Sequence, residues 1–256
     1  MKRAKKADAP VLFLGLGGTG LDMLLTVKSK FHDYFEAECL PNGEIGNKPP
    51  HTESCLIDSD PYDNRRVING VSLDPSEICE EFSAYLKPAH FAMITKPYVS
   101  QWWDSCFDMQ MHSYSTRQVS RLHLFCNYDN VCNILEHKLR HLAASYPVQN
   151  ALPVAIKVFA SVSGNTGGGL LLDIAYILKD IARRNAMRIS MEAYLIMPDV
   201  TINLFPGLSS AERLFPVNGY ALLKELDYWM DAEKKRQTDG ATVYRYELGD
   251  MGKCTV

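Results

Sequence analysis

The chain has 256 residues, 46% of them apolar and 22% charged, a globular composition long enough for one large or two small domains. Its net charge of −3 gives no electrostatic footprint for nucleic acid, and no apolar run approaches the ~20 residues that span a bilayer. The seven cysteines (Cys39, Cys55, Cys79, Cys106, Cys126, Cys132 and Cys254) are odd in number and include no Cys-x-x-Cys pair, which points to reduced, mostly buried thiols and a cytoplasmic protein.

Residues 1–10 read as a flexible basic tail, with Lys2, Arg3, Lys5 and Lys6. Val11 to Gly15 is then a continuous apolar run, as expected of a strand buried on both faces of a parallel sheet. It feeds the turn Gly15-Leu-Gly17-Gly18-Thr19-Gly20, after which Leu21 to Phe35 carries apolar residues at helical spacing. Cys39 to His51, rich in Pro, Gly and Asn, reads as a loop. Ser54 to Asp60 reads as a second strand ending in two carboxylates. At that rim Asp58 and Asp60 are candidates for a ribose hydroxyl or a magnesium ion; capping the next turn is the structural alternative.

Ser76 to Leu86 is expected to be a helix capped by Asp74, followed by breaks at Pro88 and Pro97. Trp102 and Trp103 read as core anchors. A long helical pattern runs through Leu122, Phe125, Val131, Leu135, Leu139 and Leu142, with Arg117 and Arg121 at its entrance, where they could face phosphates. His137 and His141 share one face of that helix, but with Lys138, Leu139 and Arg140 between them no zinc-protease motif is completed.

Val154 to Ala160 is the next strand. It delivers Ser163-Gly164-Asn165-Thr166-Gly167-Gly168-Gly169 to a helix over Leu170 to Arg183. So little side-chain bulk lets backbone N–H groups approach an anion at a helix N-terminus, or simply lets a tight strand-to-helix connection pack closely. Ile189 to Met197 reads as a strand, Thr201 to Pro216 as a loop, Asn218 to Glu233 as a helix and Ala241 to Leu248 as a strand. The expected division is a tail over 1–10, a nucleotide-binding domain over 11–235 and a short strand and tail over 236–256.

Two glycine turns, each after a strand and about 150 residues apart, are more than one dinucleotide fingerprint explains. The pattern resembles the tubulin and FtsZ superfamily. There a first loop of the type Gly-x-Gly-Gly-x-Gly and a later Gly-Gly-Gly-Thr-Gly-Ser-Gly hold guanine-nucleotide phosphates. Here the second motif departs from that form at Ser163, Asn165 and Gly168, while Gly164, Thr166, Gly167 and Gly169 fit. Ser113, Tyr114 and Ser115 stand where Gly-Ala-Gly is expected. Glu212-Arg213 and Asn218 to Asp227 look most like bacterial tubulin-like proteins.

The resemblance implies an α/β, Rossmann-like three-layer domain with a mainly parallel sheet. It implies GTP or GDP as ligand, with magnesium as a candidate ion, and self-assembly or a partner supplying a missing half. It places the nucleotide at Gly15, Gly17, Gly18, Thr19, Gly20, Asp58, Asp60, Arg121, Gly164, Asn165, Thr166, Gly167, Gly168 and Gly169. The family's central helix and catalytic loop find no counterpart after residue 233, so the expectation is a truncated or partial unit that hydrolyses GTP poorly alone. Two rival readings stand beside it. One is an adenylating enzyme of the ubiquitin-activating type, suggested by Gly15 to Gly20, Leu56 to Asp60, Asn64 and Arg66. The other is a non-hydrolysing scaffold.

Overall fold

Alternation along the strands decides the layers. A computed structural model of the chain describes residues 9–36, 51–60, 65–79, 117–145, 152–204, 209–239, 245–247 and 253–255. Strands β1 (Val11–Leu16), β2 (Thr52–Ile57), β3 (Val154–Ser161) and β4 (Ile189–Ile196) form one sheet in the order β2-β1-β3-β4. All three pairings are parallel, as expected when helices connect the strands. The α/β, Rossmann-like fold with a mainly parallel sheet expected from the sequence is therefore the architecture observed.

Leu12, Leu14 and Leu16 of β1, Cys55 and Ile57 of β2, and Ile156, Val158 and Ala160 of β3 all join one buried cluster. Their alternates Phe13, Leu56 and Phe159 join a second. The first cluster is closed by α2 (Arg117–Cys126), α3 (Tyr128–Ser145), α4 (Asn165–Arg184) and α6 (Ser209–Asp239), and the second by α1 (Gly17–Glu36) through Leu21, Leu24 and Leu25. One period-2 strand pattern thus sorts the helices into two layers. A helix α5 (Pro198–Leu204) joins β4 to the region of α6, and a small antiparallel ribbon pairs β5 (Arg245–Glu247) with β6 (Lys253–Thr255).

The glycine segments are not loops ahead of helices; they are the helices' first turns. Helix α1 begins at Gly17 and α4 at Asn165. Glycine costs about 1 kcal/mol relative to alanine inside a helix, and close packing explains why it is kept. A Cβ on Gly20 would lie 2.6 Å from the Phe159 carbonyl oxygen, and one on Gly169 2.6 Å from that of Arg117. Steric closeness outweighs propensity here.

Other boundaries differ for equally local reasons. The long helical pattern divides at Asn127, whose side-chain amide donates to the His123 carbonyl oxygen at 3.0 Å. Asp74 heads only the 3-10 turn Pro75–Glu77, because Ile78 then bridges Leu56 and the Cys79 N–H donates to the Leu56 carbonyl oxygen at 2.9 Å. Within the span read as a loop, residues 201–204 complete α5, and α6 starts at Ser209 and runs through Pro216. The loop over residues 39–50, Trp102 and Trp103, Ser113 to Ser115, and residues 80–86, 241–244 and 248 lie outside the described residues.

Candidate functional site

In a parallel sheet the ligand crevice opens at the carboxyl ends of the strands, where successive connections leave for opposite faces. That point lies between β1 and β3. Leu16 stands opposite both Ile57 and Ala160, so three strands end at one level. The chain leaving β1 enters α1 on one face, and the chain leaving β3 enters α4 on the other.

The two helix starts converge there. The first-turn N–H groups of a helix have no acceptor within it, and Gly164, the N-cap of α4, has no side chain to supply one. Within α4 the backbone bonds begin with Gly168 N–H to the Gly164 carbonyl oxygen at 2.9 Å. Asn165, Thr166 and Gly167, in the first turn of α4, and Gly17, Gly18 and Thr19, in the first turn of α1, all line the rim. Neither helix carries an acidic residue in its first turn. Gly17 adopts φ 73°, in the left-handed region, where a Cβ would also press to 3.1 Å from Cβ of Thr166. This is the position at which glycine is required by conformation.

A carboxylate closes the third side. Asp58 follows β2 and is 3% exposed; its Oδ1 accepts from Thr166 Oγ1 at 3.2 Å and from the Asp60 N–H at 3.2 Å. The Ser59 hydroxyl lies 2.9 Å from Thr166 Oγ1. Together Leu16, Gly17, Gly18, Thr19, Asp58, Ser161 and Gly164 to Gly167 line a cavity of about 150 Å³. Pockets for whole small molecules occupy roughly 300–1,000 Å³, so this one has the size of a phosphate chain rather than a nucleotide.

The structure does not bring every candidate residue to this cavity. Gly15 and Gly20 pack against each other and against Leu24 and Phe159, supporting the turn from beneath. Asp60 holds Asp58 through its backbone. Gly168, Gly169 and Arg121 line a separate cavity of about 440 Å³ between α2, α4 and α6. There Arg121 makes a two-pronged bond to the buried Asp173, at 3.0 Å and 3.1 Å, and its guanidinium lies over the Phe125 ring.

Ser59 and Ser161 were not singled out from the sequence, and neither were the partners that Arg117, Asn218 and His141 find in the fold. Ser59 and Ser161 are small polar residues at strand ends, a signal that could have been read. Arg117 donates from Nε to the Gly168 carbonyl oxygen at 2.7 Å and pairs with Glu225; that role depends on contacts across 51 and 108 positions. Asn218 donates to the Ser163 carbonyl oxygen at 3.2 Å. His141 meets Glu53 at 2.9 Å at the other end of β2. Among the described residues no group of three His, Cys, Asp or Glu is placed to hold a metal by itself.

Among the described residues Cys55, Cys79, Cys126 and Cys132 form no disulfide, and Cys55, Cys79 and Cys132 are buried. Burial pushes the Cys55 thiol up to about 12, and those of Cys126 and Cys132 to about 11, which keeps them protonated and poor nucleophiles at neutral pH. Cysteine chemistry has no evident part in this site.

Comparison with protein-family models matches residues 12–255 to the family described as tubulin like. The chain belongs to the tubulin-like family. No curated protein and no solved structure matches it. In this tubulin-like chain both glycine segments fall inside the matched span, on the neighbouring strands β1 and β3. Among the described residues of the tubulin-like chain, no helix is long and apolar enough to cross a membrane.

Proposed function

We propose that this tubulin-like protein binds a guanine nucleotide, GTP or GDP, with its phosphates between the first turns of α1 and α4. The observation that carries the proposal is the convergence of two helix N-termini, neither with an acidic residue in its first turn, on one small cavity. Each N-terminus bears about half a positive charge, and two of them facing each other favour an anion between them. The backbone amides of Gly17, Gly18, Thr19, Asn165, Thr166 and Gly167 are the proposed phosphate donors. Ribose and base would extend beyond the cavity, and family membership supports guanine as the base. The same membership supports self-assembly, for which nucleotide-dependent light scattering is the direct assay.

Asp58 gives this reading a sharper form. A buried carboxylate beside a polyphosphate repels it unless a cation stands between them. Magnesium is commonly held by one or two carboxylates together with substrate phosphates, and Asp58 can supply that carboxylate. Bound there, magnesium would neutralise charge on the phosphate oxygens, and Asp58, fixed through its Oδ1 by Thr166 and the Asp60 N–H, would hold it.

Calorimetric titration with GTP, ATP and NAD, each with and without magnesium, tests the proposal. GTP is expected to bind most tightly and to need magnesium. Asp58→Asn, which preserves shape and removes charge, is expected to weaken GTP binding in magnesium about tenfold, or ~1.4 kcal/mol, and to abolish the dependence on the ion. Tighter binding of ATP, or silence with all three ligands, would replace the guanine-nucleotide reading with the adenylating or the scaffold reading.

A further inference from the structure

The proposed phosphate cavity has an electrostatic imbalance. Among the described residues that line it, the one formal charge is the carboxylate of Asp58. Helix N-termini supply partial charge that fades within a turn, whereas a nucleoside triphosphate brings several full negative charges. A basic side chain at the rim would balance them.

The segment after β2 brings one there. Residues 65–79 run along α1, with Leu73 and Ile68 packed against its apolar face and Asn69 Nδ2 donating to Ser29 Oγ at 3.2 Å. At the start of this strap, Arg66 Nη1 lies 2.8 Å from Asp22 Oδ1 and 3.5 Å from the Gly18 carbonyl oxygen. Gly18 is itself a cavity-lining residue, and Asp22 stands one helical turn further along α1. The guanidinium is therefore parked on α1 beside a residue that lines the cavity.

How it is parked matters. The side chains of Arg66 and Asp22 are 41% and 49% exposed, and exposed ion pairs of this kind contribute only ~0–1 kcal/mol. An arginine–phosphate contact, charge-assisted and open to two parallel N–H bonds, is stronger. A phosphate arriving at the cavity mouth offers Arg66 a better partner than Asp22.

We propose that Arg66 is a phosphate-binding residue of the nucleotide site, held in reserve on Asp22, and that it confers preference for nucleotides carrying a terminal phosphate. The inference rests on the nucleotide reading above. On binding, the guanidinium leaves the Asp22 carboxylate for phosphate oxygens, with no change of protonation on either side.

The test is calorimetry of the whole chain with GTP, GDP and inorganic triphosphate in magnesium, together with its urea-unfolding midpoint. Arg66→Ala is expected to weaken GTP and inorganic triphosphate about tenfold or more, as loss of a hydrogen bond to a charged group does, and to leave GDP within about threefold. Arg66→Lys should recover part of the loss. Arg65→Ala, which removes the same charge one position away, should leave GTP within about twofold. Asp22→Asn should tighten GTP a few-fold, and this gain should vanish when Arg66 is also alanine. The unfolding midpoint should stay put throughout, since both side chains are exposed. If the unsubstituted chain binds GTP and Arg66→Ala binds it equally well, this inference falls and the nucleotide reading stands. If the unsubstituted chain binds no GTP, both fall together.

Discussion

The two glycine turns look alike in sequence and are held in different ways. The turn after β3 is gripped from behind by three elements. Arg117 of α2 bonds to Gly168, Thr201 of α5 lies 3.2 Å from Ser161 through its hydroxyl, and Asn218 of α6 bonds to Ser163. Gly219 presses α6 onto Val162 and Pro198, where an added Cβ would sit 3.2 Å and 2.7 Å from them. The turn after β1 leans on the sheet through Gly15 and Gly20, and its outer side meets the exposed Arg66. One wall of the cavity is buttressed, and the other carries an exchangeable ion pair. A ligand can therefore reorganise the wall after β1 at little cost, while the wall after β3 serves as a fixed template.

Several substitutions would break or sharpen that contrast. The largest effect should come from Arg121→Ala, which removes the two-pronged bond to the buried carboxylate of Asp173 beneath the second turn. Removing one partner of a buried ion pair costs about 3 kcal/mol or more, readable by urea denaturation. A variant that is fully stable yet loses GTP would instead give Arg121 the phosphate role that its place in the sequence suggested. Gly169→Ala comes next. Its new Cβ would lie 2.6 Å from the Arg117 backbone oxygen, and overpacking of this kind costs about 1–3 kcal/mol, against the gain in helix propensity. An unchanged midpoint would mean that α2 gives way and that the second wall is softer than described.

A smaller effect lies on β2, the strand that carries Asp58 to the cavity. Burial raises Cys55 from 9.0 to about 12. Below pH ~9 the thiol is protonated in both folded and unfolded chains and contributes no slope. Above that, the unfolded chain loses a proton that the folded chain keeps, so stability should fall with rising pH, by up to ~1.4 kcal/mol per unit, until the folded value is reached. Comparing the urea midpoints of the natural chain and Cys55→Ala at pH 8 and pH 10 isolates this slope; identical slopes would overturn it. The smallest effect is expected at Gly164→Ala. This glycine has an ordinary φ of −71° and room for a methyl group, 3.6 Å from its nearest neighbour, so stability should change by less than about 0.5 kcal/mol.

Much of this arrangement is legible in the sequence where the signal is local. The apolar runs Val11 to Gly15 and Val154 to Ala160 become the central strands because only residues buried on both faces can be continuously apolar. Asp58 stands at the end of β2 as the rim position required. The contacts that separate the two turns are not local. Nothing in the neighbourhood of Arg117 or Arg121 says that one guanidinium meets a carbonyl 51 positions away and the other a carboxylate 52 positions away. The span from Thr201 to Pro216 reads as a loop because Pro and Gly oppose helix. Tertiary packing of α6, through Leu222 in the core and Trp229 against Tyr176, overrides that preference.

Gly17 and Thr166 line the same cavity although 149 positions separate them. An added Cβ at residue 17 would stand 3.1 Å from the Thr166 Cβ, so the bulk tolerated at one position depends on what occupies the other. Changes at the two sites should therefore be non-additive, and a lesion in one turn should find its suppressors in the other.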